Sequence, residues 1–469
     1  MSGAFVAIVT IAAAALLWIA VAAANTDDAG PDEGVLFGVW HVFYDVEVPA
    51  VAVLVAAVAV ALLAAGGLAL MEWRITTISR RSTSKRATPL APRIVMQKTR
   101  GVFAGPVTVT VLIPAHNEEV SLPATLDSLY HQTRPPERVI VVADNCTDST
   151  VALAEAAGVE VIETIDNTQQ KAGALNQVLA RLLPRLGDND LVMVMDADTR
   201  LSEGYLSAAV RRFTDDRALM AVGGLFRGED GHGLIGQFQR NEYVRYEREI
   251  KRRRGRVFVL TGTASVFRSG ALRTVAESRG RSIPGTHGRV YDTAALTEDN
   301  ELTIAIKSLG GLMISPPECT VVTELMPTWR TLWAQRLRWQ RGALENLGAY
   351  GMTRQTFRYW AQQMGIGYGV IALTSFMLMM LLLTLALSQW IWFPFWLGLG
   401  LVFVLERIVT AWKAGWRGRL LAIPLLPELL FDVFLDAVYV KGVLDISLGR
   451  TATWKHVAPT TSPSQAVGR

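Results

Sequence analysis

Residues 191–196, LVMVMD, followed by Ala197 and Asp198, form the stretch that most narrows the folds open to this chain. An unbroken run of Leu, Val and Met reads as a β-strand covered on both faces, because a strand with one wet face would alternate apolar and polar side chains. Helices must cover such a strand, so an α/β fold is expected and the end of the run is the edge of a core. In open α/β sheets ligands lie just outside the carboxyl ends of the strands, which is where Asp196 and Asp198 stand. Residues two apart on an extended chain point the same way, so the two carboxylates can converge on one cation. A solvated turn, or a helix N-cap made by Asp198, accounts for the same pattern, and this stretch alone does not choose.

The neighbouring sequence repeats the theme. VTVTVLI (107–113), RVIVVAD (138–144) and VEVIET (159–164) are further β-rich runs, separated by helix-like segments. This is the alternation of a parallel sheet. The first run leads into Pro114, Asn117 and Glu118, and the second ends on Asp144. Acids and amides therefore gather at one sheet edge, where a plain soluble rim would scatter Lys, Ser and Gly. Further on, Thr297, Glu298 and Asp299 open a helix-like stretch with apolar residues at 302, 304, 306 and 309. Thr297 as an N-cap and two acids in a first turn are explained by helix capping and the helix dipole. The functional alternative is that one carboxylate faces a pocket as a general base.

Flanking this domain are segments of another kind. With 51% hydrophobic residues over 469 positions, the chain is too apolar for an ordinary soluble domain. Residues 4–24 and 49–71 carry no charge, and each is about long enough as a helix to cross a hydrocarbon core of roughly 30 Å. Both are expected to be transmembrane helices. A cleaved signal peptide is the rival for the first, but no Lys or Arg precedes it and no strong small-residue cleavage site follows. Residues 25–48 hold six acidic residues and no Lys or Arg, whereas residues 72–100 hold eight Lys/Arg and one acid. Short flanking loops rich in Lys and Arg stay in the cytoplasm, so the acidic loop is expected outside and everything from Arg74 onward inside. Residues 359–405 are uncharged and long enough for two crossings joined by a turn near Ser388 to Pro394. In 420–443, Pro424 and Pro427 break the start, and Glu428, Asp432 and Asp436 recur on one helical face. That charged stripe suits an interfacial helix or one facing other helices, with a polar channel lining as the functional alternative.

The motifs VLIPAHNEE, VVAD, KAGALN (171–176), DAD (196–198), TGTAS (261–265), TED (297–299) and QRLRW (335–339) come in one order along the chain. In that order, and at roughly those spacings, they resemble membrane-bound glycosyltransferase family 2 enzymes of the processive type, the family of cellulose, chitin, hyaluronan and poly-N-acetylglucosamine synthases. The likeness runs from residue 107 to about 345. It implies a cytosolic GT-A domain, a Rossmann-like mixed sheet, with flanking transmembrane and interfacial helices. It implies metal-dependent, inverting transfer from a UDP-sugar to a growing polysaccharide, with β-linkages and with product translocation as a coupled step. A lipid acceptor receiving a single sugar is the alternative. By the same likeness Asp198, with Asp196, would hold Mg2+ or Mn2+, whose charge offsets that of the leaving diphosphate. Pro114, Asn117, Glu118, Asp144, Lys171 and Asp196 would surround the nucleotide sugar, and Gln335 and Arg338 would approach its diphosphate. Asp299, beside Glu298, would deprotonate the acceptor hydroxyl, and Gly262, Thr263, Glu298 and Trp339 would face the acceptor. TGTAS stands where cellulose synthases carry a Cys-containing motif, which leaves the acceptor open. An interfacial amphipathic helix explains the Trp and Arg of residues 328–347 equally well.

The expected order is two N-terminal transmembrane helices with an acidic external loop (1–81), a basic linker (82–106), the glycosyltransferase domain (107–327) and interfacial helices with QRLRW (328–358). Two transmembrane helices (359–410), a basic loop with an amphipathic or re-entrant helix (411–450) and a tail (451–469) follow. The implied address is the plasma membrane, multi-pass, with the bilayer as a partner; a second copy of the chain is one way to complete a channel. EREIKRRRGR (247–256) reads as a membrane-facing surface, so no nucleic acid is expected. GHGLIG (231–236) matches a dinucleotide fingerprint but follows a charged turn instead of running out of a strand, and is set aside. His116, His232 and His287 lack metal-ligand spacing. Cys146 and Cys319 fall in the part placed inside the cell, so no disulfide is expected. A non-catalytic scaffold that keeps the fold is the reading from another functional class, and intact Asp144, Asp198, Asp299 and Trp339 argue against it.

Overall fold

The structure, a computed structural model, describes residues 32–36, 40–44, 105–253, 255, 257–385 and 394–450. In chain order the elements are β1 (Asp32–Leu36), β2 (Trp40–Tyr44), β3 (Thr108–Ala115), α1 (Leu122–Tyr130), β4 (Arg138–Ala143), α2 (Thr150–Ala156), β5 (Glu160–Glu163), α3 (Gln170–Leu182), β6 (Asp190–Met195), β7 (Arg200–Leu201), α4 (Tyr205–Asp215) and β8 (Leu219–Gly223). They continue with β9 (Leu225–Gly228), α5 (Gly233–Arg252), β10 (Ala264–Arg268), α6 (Ser269–Ser278), α7 (Glu298–Ser308), β11 (Leu312–Ile314), β12 (Thr320–Thr323), α8 (Trp329–Tyr350), α9 (Phe357–Leu385), α10 (Pro394–Thr410), α11 (Gly415–Ala422) and α12 (Leu426–Ser447). Two compact units divide the chain after residues 365, 412, 418 and 433.

The larger unit is a mixed α/β domain. Its main sheet has seven strands in the order β11-β8-β10-β6-β3-β4-β5. Strands β6, β3, β4 and β5 run parallel, and β10 is antiparallel to both β6 and β8. A second sheet of three strands has the order β7-β12-β9. The apolar run of β6 is covered on both faces, as its composition requires: Val192 and Val194 join the core built with α3 and α6, while Leu191, Met193 and Met195 join the one built with α1 and α4. Strand β3 splits the same way, Leu112 to the first core and Val111 and Ile113 to the second. Each such side chain removed from water contributes roughly 1.5–3 kcal/mol, so the sheet is held firmly from both sides.

Register then sets the site. Parallel pairing of Leu112 with Val194 and of Pro114 with Val142 brings the carboxyl ends of β6, β3 and β4 to nearly one level. Asp196 N–H donates to the Thr263 carbonyl (3.0 Å), which carries the start of β10 to the same edge. No helix begins at Asp198: β7 follows it, and Gly204 precedes α4, so the N-cap reading of Asp198 does not apply. The short strand β9 ends at Gly228, and Glu229 and Asp230 separate it from GHGLIG; the turn into α5 is a left-handed one at Gly231, His232 and Gly233.

The smaller unit contains the antiparallel hairpin β1–β2, residues 366–385 of α9, α10, residues 419–422 of α11 and residues 426–433 of α12. Pro394 opens α10, a position where its missing N–H costs nothing. Two acids of α12 face α10: Arg407 Nη2 donates to Asp432 (2.5 Å), and its Nη1 lies 3.8 Å from buried Glu428. Among the described residues no helix is long and apolar enough to cross a membrane. The uncharged runs 4–24 and 49–71, most of the linker 82–106 and the tail 451–469 lie outside the described residues, as do the side chains of 382–385 and 394–399.

Candidate active site

The end of β3 and the end of β4 form one shelf. Asp144 is buried, and its Oδ1 accepts from Thr164 Oγ1 (2.8 Å), Asn167 Nδ2 (2.8 Å) and Asn145 Nδ2 (3.1 Å). Asn117 has φ of 57° and Asn145 of 50°, left-handed values that asparagine tolerates better than most residues. Asn117 Oδ1 accepts from Thr147 N–H (2.7 Å), so its amide is spent on joining the two loops. Glu118 accepts from Ser121 Oγ (2.5 Å); burial, with Asp196 adding to it, pushes its carboxyl up. Pro114 sits in register with Val142 beside this shelf.

Next to the shelf, the acids of β6 part company. Lys171, in the first turn of α3, donates to Asp196 Oδ1 (2.6 Å) and pairs with Glu298 Oε1 (3.0 Å). Burial works against the ammonium, but Asp196 and Glu298 outweigh it and hold Lys171 well above its ordinary value. Burial likewise opposes the charge on Glu298, and Lys171, with Arg338 of α8 adding, keeps it ionised. Asp198 has no such cation. Burial, then Asp196, Glu118 and Glu324, push it up to about 8. A half-buried carboxylate crowded by others suits a hard divalent cation with oxygen ligands. Among the described residues no group of three or more His, Cys, Asp or Glu is arranged to hold a metal ion by itself.

Asp299 lies on the other side of Lys171. Its Oδ2 accepts from Gly262 N–H (2.9 Å) and its Oδ1 from Asn300 N–H (2.7 Å). Burial, followed by the charge of Glu298, raises it to about 6, while Lys171 and the two N–H groups pull it down. Lys171, Thr261, Gly262, Tyr291, Glu298 and Asp299 line one cavity. A Cβ at Gly262 would lie 3.3 Å from Asp299 Oδ2, a tight contact, and 3.4 Å from Lys171 Nζ, an ordinary one, so a side chain here would crowd Asp299. Of the two acids of TED, Glu298 is occupied by Lys171, and Asp299 is the one placed as a base.

Helix α8 carries QRLRW. Gln335 Oε1 is buried with no hydrogen-bond partner among the described residues. Trp339 lies under the guanidinium of Arg336 (4.2 Å to the ring centroid), and Arg336 Nη2 also donates to Glu242 (2.9 Å). The sheet edge thus brings Glu118, Asp196, Asp198, Lys171, Glu298, Asp299 and Gly262 into one electrostatic neighbourhood. Asp144 and Asp198 do not line the Asp299 cavity; Asp198 reaches it through Asp196 and Lys171. Thr263 contributes its carbonyl to Asp196, and its hydroxyl bonds Thr261 (3.0 Å).

Several residues escaped the sequence reading. Thr164 and Asn167 orient Asp144. Asn176 Oδ1 accepts from the N–H groups of Val290 (3.0 Å) and Tyr291 (2.9 Å), and its Nδ2 donates to the Tyr291 carbonyl (2.9 Å). It therefore seats Tyr291 in the cavity wall. Asn176 was visible as the last letter of KAGALN, but Thr164, Asn167 and Glu324 carry no local signal because only the fold brings them near.

With this geometry in hand, comparison with known proteins is informative. Residues 110–276 match the model of the family described as glycosyl transferase family 2. Over those residues the chain is similar to family 2 glycosyltransferases. It is 30% identical over 247 residues to a probable glycosyltransferase, YdaM, of Bacillus subtilis (strain 168), covering 50% of this chain and 54% of that protein. It is 26% identical over 246 residues to a poly-beta-1,6-N-acetyl-D-glucosamine synthase of Staphylococcus aureus (strain COL), covering 51% of this chain and 55% of that one. The chain thus spans about half the length of these curated relatives. Among solved structures, a mannosyltransferase from Pyrobaculum calidifontis in complex with GDP-Man and Mn2+ aligns with a TM-score of 0.48 at 19% identity, over 84% of this chain and 99% of that one. The matched stretch begins inside β3 and ends within α6, so Lys171, Asp196, Asp198 and Gly262 fall inside it, whereas TED and QRLRW lie beyond the matched residues.

Proposed function

We propose that this chain is a membrane-embedded, metal-dependent inverting glycosyltransferase that moves a sugar from a UDP-sugar to a growing polysaccharide and forms β-linkages. The observation that carries this reading is Asp299: a half-buried carboxylate held by two backbone N–H groups in a cavity, one lysine away from the acids at the end of β6. A base so fixed can take a proton from an acceptor hydroxyl within hydrogen-bond reach. The hydroxyl then attacks the anomeric carbon from the face opposite the diphosphate, so an α-linked donor yields a β-linked product. Asp198, with Asp196, would hold Mg2+ or Mn2+, which when bound offsets the charge of the diphosphate. Lys171 keeps Asp196 and Glu298 from repelling one another and from raising Asp299 further. Asp144, oriented by Thr164 and Asn167, offers a carboxylate for the uracil edge. Trp339, braced by Arg336, offers a flat face for the acceptor sugar.

Membrane embedding supports itself on the uncharged runs and the Lys/Arg asymmetry, which favour a multi-pass plasma-membrane protein with its catalytic domain in the cytoplasm. Exposed Tyr368, Ile371, Leu378 and Leu381 on α9 are costly in water and welcome in lipid. Polymer formation finds support in the likeness to the staphylococcal synthase, and coupling to translocation belongs to the same reading.

Membranes containing the full chain, supplied with Mn2+ and in turn with UDP-glucose, UDP-galactose, UDP-N-acetylglucosamine and UDP-glucuronic acid, test the proposal. A ladder of products on a gel is expected; a single lipid-linked sugar would replace polymer synthesis with glycolipid synthesis, and absence of UDP release with every donor would remove the transferase reading. The pH dependence follows from Asp299. Because the base works ionised and sits near 6, kcat is expected to fall as pH drops below about 6 and to level off above it, as followed by UDP release between pH 5 and 8.

A further inference from the structure

Helix α8 does more than present QRLRW. Gln335, Trp339, Gly342, Asn346 and Tyr350 are spaced so that they share one face of the helix. The N-terminal members, Gln335 and Trp339, belong to QRLRW. The C-terminal members press on the segment that carries the base. Asn346 is buried, and its Nδ2 donates to the Thr297 carbonyl (3.2 Å), the Thr297 hydroxyl (3.2 Å) and Asn300 Oδ1 (3.0 Å). Thr297 is the residue before α7, yet its hydroxyl makes no cap to that helix; it faces Asn346 instead. One turn away, a methyl group at Gly342 would lie 2.3 Å from Thr297 Oγ1, 2.7 Å from its Cγ2 and 3.0 Å from its Cβ. The contact is therefore closed, and either helix must move to admit one carbon. Tyr350 completes the stripe by donating to Glu301 Oε1 (2.5 Å), whose carboxylate is also paired with buried Arg279 (2.7 Å).

We propose that Asn346 and Gly342 are positioning residues for the transfer step: they lock the first turn of α7 to α8, so that Asp299 and the acceptor-side Trp339 keep a fixed relation. The proposal rests on the transferase reading above. Its physical basis is that Asp299 is held by Gly262 N–H from one element and Asn300 N–H from its own. A shift of Thr297 and Asn300 carries Asp299 with them and lengthens the Gly262 bond. Misplacement by about 1 Å costs on the order of 100-fold in rate without weakening the binding of a nucleotide that Asp299 does not touch.

The test uses full-length Asn346→Asp, which keeps shape but sets an acceptor against the three oxygens that now accept from the amide, and Gly342→Ala, which forces the contact apart. Each is assayed by UDP release with whichever of the four donors the native protein turns over fastest, and by calorimetric titration with UDP and Mn2+, whose stoichiometry counts folded sites. Expected are a loss of at least ten-fold in kcat per folded site, a donor KM and a UDP affinity within two-fold of native, and an acid limb of kcat moved upward by about half a pH unit as the Gly262 bond weakens. A kcat per folded site within two-fold of native in both variants overturns the proposal, and so does a loss confined to the number of folded sites, since that is a purely structural role. Asp299→Asn separates the two failures: if it turns over normally, the assignment of the base itself falls, whereas an inactive Asp299→Asn beside fully active Asn346→Asp and Gly342→Ala removes only the positioning role.

Discussion

Asp299→Asn is expected to bind UDP with native affinity and to lose turnover by about 100- to 10,000-fold, the range a positioned general base supplies. Asparagine fills the same volume and its single oxygen can still accept from one of the two N–H groups that now bond separate carboxylate oxygens, Gly262 N–H and Asn300 N–H, so the cavity keeps its approximate shape at the cost of one hydrogen bond. What it cannot do is take a proton. Because the carboxylate makes no contact with the shelf at Asp144 and Asn117, nucleotide binding should be untouched, and calorimetry with UDP beside a UDP-release assay reads both quantities on one sample. Normal turnover would show that the proton goes elsewhere. Glu298 is the nearest alternative, but it is engaged by Lys171 at 3.0 Å and kept ionised by that charge, so freeing it would cost an ion pair.

The second large effect concerns Asp198→Ala. Lys171 already neutralises Asp196, whereas Asp198 stands among Asp196, Glu118 and Glu324 with no ion pair of its own among the described residues. If it is the principal protein ligand of the divalent ion, its removal should erase the difference between UDP binding with Mn2+ and UDP binding with a chelator. The expected loss in the presence of Mn2+ is about 100-fold or more, since even partners that merely orient a metal ligand cost 10- to 100-fold. Titration of UDP under the two conditions decides it: Mn2+-enhanced binding that survives in Asp198→Ala would move the ion to other residues.

How much of this could be read from the linear chain varies from residue to residue. The β6 run announced its own burial, since apolar residues at consecutive positions need cover on both faces, and Val192 and Met193 do turn to opposite cores. The four parallel strands lie within a residue or two of the expected runs. The five-carboxylate neighbourhood of Glu118, Asp196, Asp198, Glu298 and Asp299 was approachable too, because strand ends in an α/β sheet converge by topology. Lys171 was assigned to the nucleotide by likeness alone; its two bonds to Asp196 and Glu298, separated by 25 and 127 positions along the chain, could not be inferred from either neighbour. The antiparallel β10, which carries Gly262 to within reach of Asp299, likewise had no signal beyond the letters TGTAS.

The amino-acid order by itself determined the alternation of buried strands and helices, the sheet edge at which acids gather, and the long uncharged flanks, because each depends on local periodicity or on the side chains of consecutive residues. The tertiary structure alone decided which acid is paired and which is left to work. That division depends on distance: a lysine between Asp196 and Glu298, an N–H of Gly262 on Asp299, and an amide of Asn346 on Thr297 all act over about 3 Å between residues remote in the chain, and charge and hydrogen-bond energies are set by separation in space, not along the sequence.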